Sequence, residues 1–557
     1  MDKRTIIAFA LSFLVLIAWA FLFQPASRQE PAKIEEGAKT QSAPVESPAQ
    51  PEAAPSRTGL SEQPAQRPVL TPPTADQEKE ILVETPLYKA VFSNTGPSIK
   101  SFQLKKYRLT TAQDSPLVEL VHLENMGEGV LEATFENPVK PRNQKIVYHV
   151  EEQSLRLDED SSPRDLVFSA MTPEGLSIKQ IFRIYPDKYP IDLTLDLTNT
   201  SGNRIDGKFA AYIKNTPPTK SKSYYAFLGI ALLLDDDLEE IATKKMNKSE
   251  PFTGHIGWMA YEDGHFMSAV IPEEQEMGQV TARILPSGVV KGTYFTPALS
   301  LDDQERISSR FTLYLGPRDL TVLKSVDRKL DHALNFGWTD VIAKPLLYAL
   351  RFFYKYVGNY GLAIIILTIL IKILFWPLTH KSYKSMKEMQ KLQPYMAKLR
   401  EKHKGNKEQL NKELMSLYKT YKVNPVGGCL PMVIQIPVFF ALFRILGNSI
   451  ELRHAPFIFW INDLSAPDRL FSFAFKIPFM SPPYGIPILT LLMGASMLIQ
   501  QKMTPTPGDP TQAKIMMFLP VVFTVMFINF PSGLVLYWLV NNLLSIGQQY
   551  RIIKSSV

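Results

Sequence analysis

Tyr360-Gly361-Leu362-Ala363-Ile364-Ile365-Ile366-Leu367-Thr368-Ile369-Leu370-Ile371-Lys372-Ile373-Leu374-Phe375-Trp376 decides how this chain is read. Thr368 and Lys372 interrupt an otherwise apolar and aromatic run. A helix needs about 17–25 such residues to cross the roughly 30 Å of bilayer hydrocarbon. The stretch therefore reads as a membrane span with one cation inside it. A Lys at the centre of a span costs roughly 2.5–3.5 kcal/mol on insertion scales. Lys372 sits about one turn before Pro377, so two readings stand: its stem snorkels to the interface, or its charge has work to do inside the membrane.

Four further apolar stretches follow, at 428–446, 485–499, 515–530 and 532–546. Several are short or carry Pro (Pro431, Pro437, Pro487, Pro520), which suggests kinked helices or a locally thin bilayer. No Asp or Glu lies within these spans, which counts against a cation pump built on intramembrane carboxylates. Thr368, Gln435, Asn541, Asn542 and Ser545 are polar residues within them. Such residues either hydrogen-bond between helices or line a wet concavity. The residues alone leave that choice open.

Between the spans at 360–376 and 428–446, Lys381 to Lys422 form a strongly basic run, with Glu388, Glu401, Glu408 and Glu413 as its acids. The next loop is nearly balanced, with Arg453, Arg469 and Lys476 against Glu451, Asp463 and Asp468. The positive-inside rule makes the basic segment cytoplasmic and the balanced loop external. Met386, Met389, Leu392, Met396 and Leu399 form one helical stripe, and Leu410, Leu414, Leu417 and Tyr421 another. Residues 380–422 thus read as a helical hairpin. Its stripes pack on each other or bind a partner, and its basic exterior suits anionic lipid or ribosomal RNA.

Upstream, residues 339–357 read as an amphipathic interfacial helix. Ile342, Leu346, Ala349, Phe353 and Tyr356 form its apolar stripe and Lys344, Tyr348, Arg351 and Lys355 the other. A helix packed on the preceding domain is the alternative. From residue 81 onward the patterning is period-two. Leu176, Ile178, Phe182 and Ile184 alternate, interrupted by Gln180, and Leu193, Leu195 and Leu197 alternate with polar neighbours. Residues 81–338 are therefore expected to form a large all-β sandwich. His255 and His265 are isolated and read as structural.

Residues 24–80 are rich in Pro, Ala, Gln and Glu and read as a flexible tether. Residues 1–23 carry a basic start and an apolar run, and read as a retained anchor rather than a cleaved signal with Ala18-Trp19-Ala20 as its site. Lys3 and Arg4 put the N-terminus in the cytoplasm. Counting back from the basic hairpin also puts the sandwich outside and Met1 inside. The single Cys429 excludes an intramolecular disulfide framework. No phosphate-binding loop of the G-x-x-x-x-G-K-[ST] form occurs, so no ATP-driven step is expected. No metal-spacing cluster or nucleophile motif is visible; neither enzyme activity nor a cofactor is expected.

Phe375-Trp376-Pro377-Leu378-Thr379, Leu392-Gln393-Pro394, Asn424-Pro425-Val426-Gly427-Gly428-Cys429-Leu430-Pro431, Gln435-Ile436-Pro437 and Pro531-Ser532-Gly533-Leu534-Val535-Leu536-Tyr537-Trp538 resemble the core motifs of the YidC insertases. Trp460 with Asp463-Leu464-Ser465 is similar to that family's extracytoplasmic loop. The resemblance covers about 340–550, and the anchor, tether and β domain match the Gram-negative form in architecture. It implies a multi-domain inner-membrane protein. An N-terminal anchor would lead to a periplasmic β-supersandwich of galactose-mutarotase-like fold. A five-span helical core with a cytoplasmic hairpin would occupy residues 358–557.

The resemblance also implies a hydrophilic groove, open to cytoplasm and lipid, with one basic residue at the position of Lys372. The family commonly has Arg there; Lys keeps the charge but loses the planar fork. Thr368, Gln435, Asn541 and Asn542 match groove-lining positions. Tyr537 and Trp538 match an aromatic pair near the substrate path, with Trp538 where Tyr is frequent. The implied function is insertion and folding of membrane proteins without ATP, alone or with the Sec translocon. The implied partners are nascent membrane proteins, ribosomes and targeting factors at the hairpin and tail, and lipids. A non-inserting assembly factor is the alternative.

Overall fold

The structure is a computed structural model that describes residues 77–123, 129–137, 146–217, 227–274, 277–403, 405–421, 423, 430–504 and 510–554. The anchor read at 1–23, nearly all of the tether read at 24–80, and the motif from Asn424 to Cys429 lie outside the described residues.

The β domain is a two-sheet sandwich. In one sheet the strands Arg164–Met171, Leu176–Ile184, Pro190–Asn199, Arg306–Pro317, Phe266–Pro272, Phe252–Asp263, Leu228–Leu234 and Asp237–Ala242 pair antiparallel in that order. In the other the order is Glu80–Glu84, Tyr88–Ser93, Ser98–Arg108, Leu131–Glu136, Ile205–Asn215, Val290–Phe295 and Met277–Ile284. The strand Phe252–Asp263 also pairs with Met277–Ile284, so one strand serves both sheets. The inner faces meet ring to ring. Phe92 lies 5.3 Å from Phe182, and Tyr294 lies 6.2 Å from Phe311.

Period-two patterning is what makes this possible, because alternate side chains all reach the core. Gln180, the break in the apolar series, points inward as well. Its Nε2 donates to the Ala133 carbonyl of the opposite sheet at 3.0 Å, so the polar interruption is an inter-sheet tie. Asn199 closes the next strand by donating to the Leu301 carbonyl at 2.9 Å, while Gly202 takes the left-handed backbone the turn needs, at φ 78°.

Helix α1 (Leu320–Val326) ends the domain and is capped by Asp319, which accepts from Thr321 N and Val322 N. Helix α2 (Asp340–Val357) then packs against α3 (Tyr360–Leu374) and α6 (Leu430–Asn448). Its most buried line is Ala343, Leu347 and Leu350, one residue away from the stripe read in the sequence. Ile342, Leu346, Ala349 and Phe353 are only partly buried, and Tyr356 is exposed. Two helices cover α2 at once, so two adjacent stripes share the burial.

Helix α3 has 15 residues, about 22 Å by helix rise. Among the described residues no single helix is long and apolar enough to cross a membrane; α3 and α4 (Trp376–Lys402) pass that test only as a pair bent by 65°. The break falls at Phe375, and Pro377 supplies no N–H to continue the ladder. Helix α4 runs unbroken to the hairpin turn, and α5 (Lys407–Thr420) returns. Leu392, Met396 and Val423 are buried between them, flanked by Met389, Leu414 and Leu417, so the two stripes pack on each other.

Helices α7 (Ile488–Met503), α8 (Pro510–Phe527) and α9 (Ser532–Lys554) complete the bundle. Their limits differ from the sequence reading. Tyr484–Ile486 is a short strand paired with Leu470–Phe473, so α7 starts after residue 485. Helix α8 ends before residue 530, and α9 continues well past 546. Gly494 allows α7 and α8 to close. A Cβ there would lie 2.2 Å from Thr524 Oγ1.

Candidate functional site

Helix α9 is the spine of the candidate site. Its N-terminal half is apolar, and its C-terminal half sets Asn541, Asn542, Ser545, Gln548 and Gln549 toward neighbouring helices. All five are buried. At 3.6 residues per turn, Asn541, Ser545 and Gln548 share one face and Asn542 and Gln549 an adjacent line. Each neighbouring helix answers with a polar group at matching depth.

Lys372 on α3 is 6% exposed. Its Nζ donates to Ser545 Oγ at 2.7 Å. Among the described residues it has no carboxylate partner. Ser545 Oγ passes the connection on by donating to the Asn541 carbonyl at 2.7 Å. Asn541 in turn forms a reciprocal amide pair with Gln435 on α6, with N–O distances of 2.9 and 3.1 Å. A chain of polar contacts thus runs from α3 through α9 to α6.

A second line ties α9 to α7 and α4. Asn542 Nδ2 donates to Ser496 Oγ at 3.0 Å, and Ser496 Oγ donates to the Met493 carbonyl. Gln548 Nε2 donates to Thr379 Oγ1 at 2.9 Å, and Gln549 Nε2 to the Met503 carbonyl at 2.8 Å. Thr368 is buried one turn before Lys372, and its hydroxyl donates to the Ile364 carbonyl of its own helix. Its contribution is a small polar surface, with no cross-helix bond.

Tyr537 and Trp538 sit above this network and differ from each other. Tyr537 is buried, and its hydroxyl has no hydrogen-bond partner among the described residues. Trp538 is part of an aromatic seam where α6 and α8 meet. It lies 5.1 Å from both Phe439 and Phe527, and Phe443 faces Phe530 at 5.5 Å. Rings rather than backbones hold α6 against α8 there.

Of the residues singled out from sequence, Lys372, Gln435, Asn541 and Asn542 thus belong to one buried polar layer, with Thr368 beside it. Sequence reasoning passed over Ser496, Thr379, Gln548 and Gln549. The α9 pair could have been found by extending the helical face of Asn541 by two turns. Arg444, half-buried near the C-terminal end of α6, is a second cation in an apolar stretch and was equally legible.

Residues 352–557 match the family model described as 60Kd inner membrane protein, and residues 80–349 match that of the YidC periplasmic domain. The chain is 42% identical over 565 residues to the membrane protein insertase YidC of Syntrophobacter fumaroxidans, covering 99% of each. It is 42% identical over 556 residues to that of Pelobacter propionicus, covering 100% of this chain and 99% of that one. An active YidC insertase crystal structure matches with TM-score 0.37 and 18% identity, over 86% of this chain and 95% of that one. A galactose mutarotase related enzyme from Lactobacillus acidophilus matches with TM-score 0.29 and 10% identity, over 42% and 97%.

A β-sandwich joined to a helical bundle with a buried polar layer, matched end to end by inner-membrane proteins, defines the class as bacterial membrane-protein biogenesis factors. Within it, this chain belongs to the YidC family of membrane protein insertases.

Proposed function

We propose that the chain inserts membrane proteins by lending its polar layer to the hydrophilic flank of an incoming helix. The observation that carries the reading is Lys372, buried beside the Gln435–Asn541 pair with the neutral Ser545 as its one partner among the described residues. A buried ammonium without a counter-ion is held below its best solvation. An acidic or polar flank entering the bundle relieves that by replacing Ser545 as the partner. Gln435 and Asn541 exchange their mutual bonds for bonds to the passing backbone, so polar groups cross without facing hydrocarbon.

The apolar part of the client leaves at the aromatic seam of Phe439, Phe527 and Trp538. Flat rings part more easily than interlocked backbones. Strongly apolar residues gain roughly 0.3–0.6 kcal/mol each on entering the bilayer, so partitioning drives release without ATP. In this reading α3, α6, α7, α8 and α9 span the inner membrane, the N-terminus and basic hairpin face the cytoplasm, and the sandwich lies in the periplasm. The hairpin and the basic end of α9 meet ribosomes, targeting factors and anionic lipid. The chain works alone or with the Sec translocon.

The internal satisfaction of the amide pairs favours a second reading, in which the layer is helix glue and the protein assists assembly without inserting. Reconstitution into liposomes separates the two. A small single-span client should become protease-protected with the native chain and with Lys372→Arg, but not with Lys372→Glu. Equal protection by all three variants ends the charge argument, and protection no better than empty liposomes leaves the assembly factor.

A further inference from the structure

The loop between α6 and α7 is built inside out for a surface in water. Its carboxylates and one of its arginines are used internally. Asp463 accepts from His454 N, Ser465 N and Ser465 Oγ. Asp468 accepts from Trp460 Nε1 at 2.6 Å and caps α7 through Leu489 N and Thr490 N. Arg469 donates to the carbonyls of Asp468, Pro483 and Ile528. Ser532 and Gly533 at the start of α9 donate to the carbonyls of Ala466 and Leu464.

The outward face is phenylalanine. Phe459, Phe471, Phe475 and Phe479 are 86%, 69%, 65% and 82% exposed. Phe459, Phe471 and Phe479 take left-handed backbone conformations, at φ 56°, 56° and 61°. A bulky side chain is rarely found there, and such a conformation costs on the order of 1–3 kcal/mol. Three times over, strain is accepted where it turns a ring away from the protein. Lys476, exposed and without an ion pair among the described residues, is the charge left beside them.

We propose that this loop is a membrane anchor, with Phe459, Phe471, Phe475 and Phe479 seated in the headgroup–acyl boundary of the outer leaflet and Lys476 at the phosphates. The inference rests on the reading of α6 and α7 as membrane spans. The loop is tied to the outer ends of α7 and α9, so it cannot lift away from the bilayer surface. Rings that would form an aggregation-prone patch in water gain free energy in the interface, where aromatic residues belong. A lone cation among them suits phosphate and leaves no acid to repel it. Held this way, the anchor fixes how deep the bundle sits, and hence the depth of the polar layer below it.

Spin labels on the reconstituted full chain test this. In a Cys429→Ser background, single labels are placed by Phe475→Cys and Phe479→Cys, with Ile436→Cys on the exposed side of α6 and Asp303→Cys on the sandwich as references. Collision with oxygen and with a nickel chelate is compared in phosphatidylglycerol–phosphatidylethanolamine vesicles. The loop labels should favour oxygen over chelate several-fold, at a depth between the two references. Chelate access equal to that of Asp303→Cys overturns the anchor while Ile436→Cys still reports hydrocarbon. Chelate access at Ile436→Cys as well overturns the span reading beneath it. Protection from both probes means protein covers the loop, and also overturns the proposal. Hydroxyl-radical footprinting of the unmutated chain gives the same reading without substitution. Phe475 and Phe479 should oxidise several-fold less than exposed Met277 after allowance for intrinsic reactivity, and as readily as Met277 if the anchor is absent.

Discussion

Gln435 and Asn541, 106 residues apart, exchange two hydrogen bonds between α6 and α9 at 2.9 and 3.1 Å. Each amide completes the other. Replacing one partner leaves the second buried and unpaired, whereas replacing both removes the need. Gln435→Leu and Asn541→Leu should therefore each destabilise the bundle by about 1–2 kcal/mol, and the double variant should recover most of it. Detergent-unfolding titrations measure the cycle. Insertion should behave oppositely: if the pair serves the client, the double variant folds but inserts poorly. A double variant that inserts as well as the native chain would show that the pair is glue.

Much of this was legible in the residues themselves. The alternation at Leu176–Ile184 and at Leu193, Leu195 and Leu197 is a direct imprint of the two-sheet core, because a strand has only two faces. The most buried line of helix α2 lies one residue from its apolar stripe because two helices cover it, and periodicity cannot count neighbours. Lys372 stood out as a charge in an apolar run, a signal that Arg444 carries as well. Its partner Ser545 was visible only as one more small polar residue. A hydroxyl's value depends on what faces it across the bundle, and that is a tertiary fact.

A buried ion pair fixes the end of the sandwich. Arg318 Nη2 lies 2.9 Å from Glu262 Oε2, and both side chains are essentially inaccessible. Arg318 also donates to the carbonyls of Gly264 and Ala333. Burial pushes the Glu262 carboxyl up to about 7 despite the guanidinium beside it. Removing one partner of such a pair costs about 3–5 kcal/mol, while an apolar replacement of both is often nearly neutral. Arg318→Met should speed hydrogen exchange in the strand Phe252–Asp263 strongly. Adding Glu262→Leu should restore most of the protection. Equal exchange in the native and single-variant chains would contradict the role given to the pair.

Gly494 tests the contact of α7 and α8. With Thr524 Oγ1 2.2 Å from where its Cβ would stand, Gly494→Val should force the helices apart, costing about 1–3 kcal/mol as overpacking does. The additional change Thr524→Gly removes the opposing side chain and should recover part of the loss. A cysteine pair across this seam, crosslinked in membranes, would report the separation directly. Unchanged crosslinking in Gly494→Val would mean the helices already have room.

Arg351 on α2 joins three parts of the chain. It donates to Asp319 and to Thr321 Oγ1 of α1, and its Nε lies 3.3 Å from Glu451 Oε1 just beyond α6. Burial, and then the nearby Asp319, push the Glu451 carboxyl from 4.5 up to about 7, with Arg351 opposing. The docked state therefore holds the proton more tightly than an undocked, solvated carboxyl does. Its advantage is complete below about pH 4.5, declines as pH rises toward 7, and is absent above that. The difference is on the order of 3 kcal/mol at most. Exchange in peptides from 319–326 and 449–455 should be slower at pH 5.5 than at pH 8 after correction for intrinsic rates. Glu451→Gln should abolish the difference and keep the slow exchange. Arg351→Ala should speed exchange at both pH values and most at pH 8, where the carboxylate is left buried with Asp319 and no guanidinium. Rates independent of pH in the native chain would mean that Glu451 stays ionised across this range and that its protonation plays no part in the contact.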